Sequence, residues 1–433
     1  MKAYSNKNSG VSGIEQIPKH WILEKIKFVA TCNDEVLSNS TADDEIINYV
    51  EIGDVDYVNG ITNTTEYEFK EAPSRARRIT RPNDIIISTV RTYLKAIAKI
   101  AEPDLIVSTG FAVIRPRKID EIFMSYALLA PTFIEEVMSR SFGVSYPAIK
   151  ASSLMDIKIC VPPLSEQQAI ASFLDAKTKP IDDIIAKREK QIELLEEMKS
   201  AIISRAVTKG LNPDAKMKDS GVEWIGKVPE HWEVADLKRY AKISTGKTPS
   251  TKNDEYFENE EIVWFTPGDF PDGSIILKDS SRKIDKRAIK ASEAFLYPKN
   301  SVFLVGIGGT LGKIGIFEEE ASCNQQINVI VCKSDILKNY VAYYLYSKKE
   351  VLKVFSNAAT LPILNQDKTG YIKIALPPLC EQQAIASYLD TETSKIDTRI
   401  AKRRKQIELL QEYKQALITA AVTGKIDVRE YIS

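Results

Sequence analysis

The sequence predicts an α+β chain. Two α/β domains with mixed or antiparallel sheets are joined by two long antiparallel coiled-coil helices in a pseudo-twofold arrangement. Three observations predict it. The segment Pro162 to Thr208 recurs at Pro377 to Thr423 at a constant offset of 215, with roughly two-thirds of the positions identical. Each copy carries apolar residues at alternating three- and four-residue steps, the spacing of a coiled coil. Before each copy lies a diverged stretch in which strand-like runs alternate with Gly, Pro and Asn turns. The expected order is a first variable domain over 1–160, a helical spacer over 161–211, a second variable domain over 212–375 and a second spacer over 376–433.

Composition is compatible with this. The chain has 433 residues, 44% hydrophobic and 27% charged, ordinary for a globular protein of several domains. No apolar run approaches the ~18 residues of a membrane span, so no membrane partner is expected. The polar start lacks the apolar core of a signal peptide, which leads us to expect a cytoplasmic protein. Five cysteines (Cys32, Cys160, Cys323, Cys332, Cys380) are scattered without a CxxC pair and are expected to be reduced thiols. Only two histidines, His20 and His231, are present, which argues against a His-rich metal site.

The repeated segment opens Pro-Pro-Leu-x-Glu-Gln-Gln. Ser165 with Gln168 reads as a capping box, weakened in the copy by Cys380. A short helix is expected to end near Asp175 and Asp390. Pro180 would then start a new helix, with Ser394 and Asp397 capping its counterpart. That second helix would run about 27 residues, or about 40 Å. Its predicted seam is Ile181, Ile185, Arg188, Ile192, Leu195, Lys199, Ile202 and Ala206. In the copy it is Ile396, Ile400, Arg403, Ile407, Leu410, Lys414, Leu417 and Ala421. Arg and Lys in the seam would extend their heads to solvent. Each helix could pack on its own domain. Alternatively, the two could pair antiparallel through equivalent seams.

A second repeat precedes each half at offset 211: Ser9-Gly10-Val11, Ile14, Pro18, His20 and Trp21 match Ser220-Gly221-Val222, Ile225, Pro229, His231 and Trp232. Each Trp should anchor its domain on a helix, and each His should be a cap or a surface group. Fainter echoes link Gly53-Asp54 to Gly268-Asp269, Ser108–Ile114 to Asn324–Ile330, and Ser145-Tyr146-Pro147 to Thr360-Leu361-Pro362.

Within the variable stretches, basic residues cluster in loops. The first half has Arg75, Arg77, Arg78 and Arg81, then Arg91, Tyr93 and Lys95. The second has Arg282, Lys283, Lys286 and Arg287, then Gly309, Thr310 and Lys313, with Asn324, Gln325 and Gln326 beyond. Arg suits guanine, Asn and Gln suit adenine, and Lys suits phosphate, so these are the candidate DNA-binding residues. A net charge of zero requires either segregated patches or partners that share the phosphate contacts. The loop Gly306–Lys313 is not a P-loop: Ile307 stands where the first glycine is needed, and Ile314 stands where the Mg-binding hydroxyl is needed. No catalytic residue, metal site or cofactor-binding site stands out.

These features together resemble the specificity subunit of type I restriction-modification systems. The resemblance rests on the doubled Pro-Pro-Leu-x-Glu-Gln-Gln-x-Ile-Ala with Leu-Asp, the Ile-Glu-Leu-Leu helix, the Ala-Val-Thr endings (Lys-Gly in one copy, Gly-Lys in the other) and Pro-x-His-Trp. It implies a non-catalytic chain with two target-recognition domains, each reading half of a split, asymmetric site in double-stranded DNA. It also implies that the repeated helices separate the domains and dock two methyltransferase subunits, with restriction-translocase subunits added. S-adenosylmethionine, ATP and Mg would belong to those partners. The rival reading is a stand-alone DNA-binding or scaffold protein.

Overall fold

The computed structural model describes residues 4–11, 13–259, 261–355 and 363–429. Contacts divide the chain into two units, Met1–Arg188 with Arg404–Ser433, and Glu189–Arg403. Both divisions fall inside long helices. Each unit therefore holds one variable domain, the nearer part of one long helix and the opposite end of the other.

In the first unit, a four-stranded antiparallel sheet runs in the order Ile97–Lys99, Ile85–Ser88, Phe111–Pro116, Ala30–Cys32. A second sheet pairs Ile46–Val50 parallel to Leu105–Ser108, flanked by Thr65–Glu68 and Ala76–Ile79. Strand Ile85–Ser88 is buried throughout, which explains its unbroken Ile run; a sheet covered on both faces has no polar alternation. Strand Ile22–Lys25 closes the domain by pairing with its last strand, Lys158–Val161.

The second unit repeats this plan despite its divergent sequence. Its main sheet runs Ile314–Ile316, Val302–Val305, Ile327–Cys332, Ala241–Thr245. A parallel pair joins Ile262–Phe265 to Ser322–Cys323, and Glu233–Asp236 closes on Lys373–Leu376. Two of the echoes have a structural basis here. Gly53-Asp54 and Gly268-Asp269 lie in matching 3-10 turns with reciprocal capping boxes. Ser108–Ile114 and Asn324–Ile330 each lead into a central strand of the main sheet. Thr360-Leu361-Pro362 lies outside the described residues.

The long helices correct the sequence expectation. Leu164–Lys209 and Leu379–Val422 are each continuous, 46 and 44 residues, or about 69 and 66 Å. No break occurs near Asp175, and Pro180 lies inside the first helix. A proline there forfeits one backbone hydrogen bond and costs about 3 kcal/mol. Burial of Thr178 and Ile181 on either side offsets it. Ser165 is no cap either. The helix starts one residue earlier, the carbonyl of Pro163 accepts from Glu166 and Gln167 N–H, and Ser165 faces solvent. The same holds for Pro378 and Cys380, so serine and cysteine are equally tolerated. Ser394 and Asp397 are likewise interior.

Within each unit the two helix segments run antiparallel. In the first, Ile170 and Leu174 share a core with Ile418, Ala421 and Val422, while Asp182 meets Lys414. In the second, Ile203 and Val207 share a core with Ile385 and Leu389, while Lys199 meets Asp397. The seam residues Ile181, Ile185, Ile396 and Ile400 are buried, and Ile192, Leu195, Ile202, Ile407, Leu410 and Leu417 are half-buried. The seam lysines do not extend to solvent as expected. Lys199 Nζ donates to both Asp397 oxygens at 2.6 and 2.8 Å, and Lys414 Nζ donates to both Asp182 oxygens at 2.6 and 2.8 Å. The two pairs are copies of one another at offset 215.

Candidate nucleic-acid interface

Each domain is held on the helices by one repeated device. Glu166 is buried, and a buried carboxylate is costly unless hydrogen-bonded. It accepts from Trp21 Nε1 at 2.8 Å, and its other oxygen lies 2.7 Å from His20 Nε2. Glu381 accepts from Trp232 Nε1 at 3.0 Å and lies 2.6 Å from His231 Nε2. Both indoles are buried, at 0% and 1% exposure. Burying a ring of that size contributes about 4–6 kcal/mol of transfer free energy. Each indole also meets the glycine that ends a long helix, Trp21 against Gly424 and Trp232 against Gly210. The Trp anchor expected from sequence is thus a clamp on one helix start and one helix end, and the His belongs to it.

The next residue of the motif extends the clamp. Gln167 Oε1 accepts the N–H of Asp120, and its amide donates to the carbonyl of Pro162. Gln382 does the same for Leu337 and Pro377. Tyr126 then donates to Asp175 at 2.7 Å, as Tyr343 does to Asp390 at 2.8 Å. Burial and the adjacent carboxylate push both phenols well above their ordinary range. Sequence comparison missed this tyrosine pair. Its one signal is that the Leu-Asp of the repeat keeps its aspartate.

With the domains so fixed, one end of each main sheet carries candidate loops: the Arg91–Lys95 turn in one unit, and the Gly306–Lys313 loop with the Asn324–Gln326 turn in the other, whereas Arg282–Arg287 lies beside the separate strand Ile262–Phe265. In the first unit, Thr89 donates N–H and Oγ1 to the Gly110 carbonyl, and Thr109 N–H donates to Arg75 O. This ties exposed Arg75 to the Thr109-Gly110 turn, which Thr89 joins to the end of strand Ile85–Ser88. Arg91, Tyr93 and Lys95 are all exposed. Arg91 and Lys95 both adopt left-handed φ of 52°, which costs a non-glycine residue about 1–2 kcal/mol. Arg77 lies over the Phe69 ring at 4.9 Å, and Arg78 is half-buried with its Nε unpartnered. Neither is as free to meet phosphate as Arg75. Arg81 pairs with Glu35 at 2.8 Å.

The second unit builds the same end from other chemistry. Gly306 N–H donates to Gln326 O, setting the glycine loop beside the Asn324–Gln326 turn. Gly306 is packed tightly, because a Cβ there would lie 2.5 Å from Leu364 O, whereas Gly309 is open. Gly306–Lys313 joins two antiparallel strands, unlike the strand-to-helix turn that cradles phosphates. Gln325 is exposed and bonded to Thr248, and Asn324 is buried and bonded to Gln326. Several predicted cations are held by the protein itself. Lys313 donates to Phe270 O and pairs with Asp272 at 2.8 Å. Lys283 lies 3.4 Å from Asp279, Lys286 pairs with Glu261, and Arg287 is enclosed by Asp285 and Glu258. Arg282 is exposed.

Sequence reasoning also passed over the outer helix faces. Leu194 and Met198 are about half exposed on one helix, and Leu409 and Tyr413, their copies at offset 215, are so on the other. All five cysteines are free. Among the described residues no acidic, His or Cys group could hold a metal, and no single helix is long and apolar enough to cross a membrane.

Comparison with known proteins agrees with this architecture. The family model "Type I restriction modification DNA specificity domain" matches twice, over residues 20–194 and 229–409. The chain is 30% identical over 330 residues to the type I restriction enzyme MjaVIII specificity subunit of Methanocaldococcus jannaschii, covering 72% of this chain and 71% of that one. It is 27% identical over 441 residues to the MjaIX specificity subunit of the same organism, covering 96% of each. A solved chain described under complex assembly and conformational transition of the type I R-M system superposes with a TM-score of 0.67 at 21% identity, covering 95% of this chain and 99% of that one.

Proposed function

The chain belongs to the type I restriction-modification DNA specificity family, and we propose that its two units each read one half of a split, asymmetric site in double-stranded DNA. One observation carries this reading. The two units share main-sheet strand order and clamp, yet present different residues at the same sheet end: Arg91, Tyr93 and Lys95 in one, Gly309, Thr310 and Gln325 in the other. Identical scaffolds with unlike loops suit unlike half-sites.

In this reading the chain is non-catalytic and cytoplasmic. The duplicated apolar positions Leu194/Met198 and Leu409/Tyr413 dock two copies of a methyltransferase subunit, and restriction-translocase subunits complete the assembly. S-adenosylmethionine, ATP and Mg belong to those partners, which also supply much of the phosphate contact that a net charge of zero withholds. Family membership favours this over a stand-alone scaffold. The test is methylation mapping of host DNA with the gene present and deleted. A bipartite motif that vanishes on deletion is expected; an unchanged methylome would refute the reading.

A further inference from the structure

The first unit carries an exposed apolar surface that neither the clamp nor the basic-loop reading uses. In the segment Phe142–Pro147, Phe142 is 83% exposed, Val144 102% and Tyr146 66%. A monomeric protein rarely leaves such side chains together in water without a partner.

The segment is built against the Arg91–Lys95 turn. The Arg91 guanidinium lies 5.1 Å from the Tyr146 ring centroid, within range of a cation–π contact. Thr92 N–H donates to Pro147 O at 3.3 Å, and Thr92 Oγ1 donates to Ser141 Oγ at 2.8 Å. Val90 bridges Ala148. Gly143 has φ +112°, and a Cβ there would lie 3.1 Å from Tyr146 O, so the tip conformation requires glycine. Two left-handed residues at the ends of the neighbouring turn show that the surrounding contacts hold this shape against local strain. The surface is preorganised.

We propose that Phe142 and Val144, presented on the Arg91 turn, are specificity-determining residues for the first DNA half-site and make apolar contacts to base edges. The inference rests on the DNA-reading function above. Two observations select DNA over a protein partner. The surface adjoins the Arg91 cation at an end of the main sheet, and apolar groups beside arginine suit base methyls and edges flanked by phosphate. The internal comparison points the same way. A partner bound twice would meet repeated residues, as on the helices. Here the copy replaces Phe-Gly-Val by Asn-Ala-Ala at 357–359 while retaining the proline at 147 and 362. Of the seven residues 141–147, only Ser141 and Pro147 recur, as Ser356 and Pro362.

The experiment expresses the full chain carrying Phe142→Ser and Val144→Ser with its native partners and maps host methylation. Both side chains face solvent, so folding should be unaffected. A domain exchange over residues 22–161 identifies which half-site belongs to the first unit. We expect the motif to relax or change at that half-site, with at least about tenfold loss of discrimination, while the other half-site is unaltered. If methylation disappears altogether, binding of the purified complex to the wild-type site decides: lost DNA affinity with retained methyltransferase subunits supports the proposal. An unchanged motif overturns it, as does loss of methyltransferase capture with DNA affinity intact, which would make the surface a protein-docking site. Absence of any bipartite motif with the wild-type chain would instead refute the underlying function.

Discussion

The two interhelical ion pairs are sequence copies but not energetic copies. Lys199 is 6% exposed and Asp397 47%, whereas Lys414 is 22% exposed and Asp182 51%. Lys199 also donates to the carbonyl of Gly273. Removing one partner from a fully buried pair costs about 3–5 kcal/mol, because the other charge is stranded. Exposed pairs are worth about 0–1 kcal/mol. Asp397→Ala leaves the mostly buried Lys199 ammonium with one neutral acceptor, although water can reach it from the open cavity that Lys199, Gly273 and Asp397 line. About 2 kcal/mol is therefore expected. Asp182→Ala should cost about 1 kcal/mol or less. For units of this size 1 kcal/mol moves a melting temperature by about 2–4 °C, so the two variants should differ by several degrees. Local hydrogen exchange along each helix should show the loss confined to the unit that carries the substitution. A double-mutant cycle of Lys199→Met with Asp397→Leu should return most of the stability, since an apolar pair replaces the buried ions without stranding either. Raising salt should weaken the Lys414 pair more than the Lys199 pair. Equal costs for the two aspartates, or no coupling in the cycle, would refute this burial argument.

Other contacts give further expectations. Trp21→Ala opens a cavity beside Gly424 and removes one of the donors to the buried Glu166, leaving His20; a loss of about 3–5 kcal/mol should appear in thermal unfolding, and Trp232→Ala should behave alike. Arg115 makes a bidentate bond to Asp84, whose side chain is 2% exposed, so Arg115→Met should destabilise the first unit by about 3–5 kcal/mol in urea titration. Hydrogen bonds from Arg115 and Arg81 hold the Glu35 carboxyl below its ordinary 4.5. Its contribution is therefore complete above that pH and is lost as pH falls through the lower folded value; Glu35→Gln should flatten the acid limb of the stability profile. Exchanging residues 22–161 for those of another family member should alter one half-site in methylation mapping and leave the other intact.

The architecture was legible wherever a residue's partner is also in the repeat. Heptad spacing announces a seam whatever it packs on, and Pro-x-His-Trp announces an anchor. Pairs that join a repeated residue to a diverged stretch were invisible. Tyr126 and Tyr343 stand 217 apart while Asp175 and Asp390 stand 215 apart, so no fixed offset aligns both members. The helix start was misread because a serine before Glu-Gln-Gln resembles a cap, whereas the proline carbonyl two residues earlier already accepts the free N–H groups. The charged loops misled for a similar reason. Lys313, Lys286 and Arg287 read as available cations until the fold brings Asp272, Glu261 and Glu258 against them. Proximity to a carboxylate elsewhere in the chain is not a property of a nine-residue window.

The two helix endings show what the repeat retains. One copy reads Ala-Val-Thr-Lys-Gly and the other Ala-Val-Thr-Gly-Lys, so in register a glycine faces a lysine. The structure removes the mismatch. The first helix runs through Lys209 and the second stops at Val422. Gly210 and Gly424 then adopt φ of +72° and +73°, and each comes against the tryptophan of the domain it supports. A left-handed residue without a Cβ is needed at that point, since a Cβ on Gly424 would lie 2.4 Å from the Pro18 ring and one on Gly210 3.2 Å from the Trp232 ring. The glycine shifts by one residue, and the helix end by two, so that this contact is kept. What the two units share is thus a set of contacts between tryptophan, glutamate and glycine, and sequence identity follows it only where the chain reaches each contact in the same number of residues.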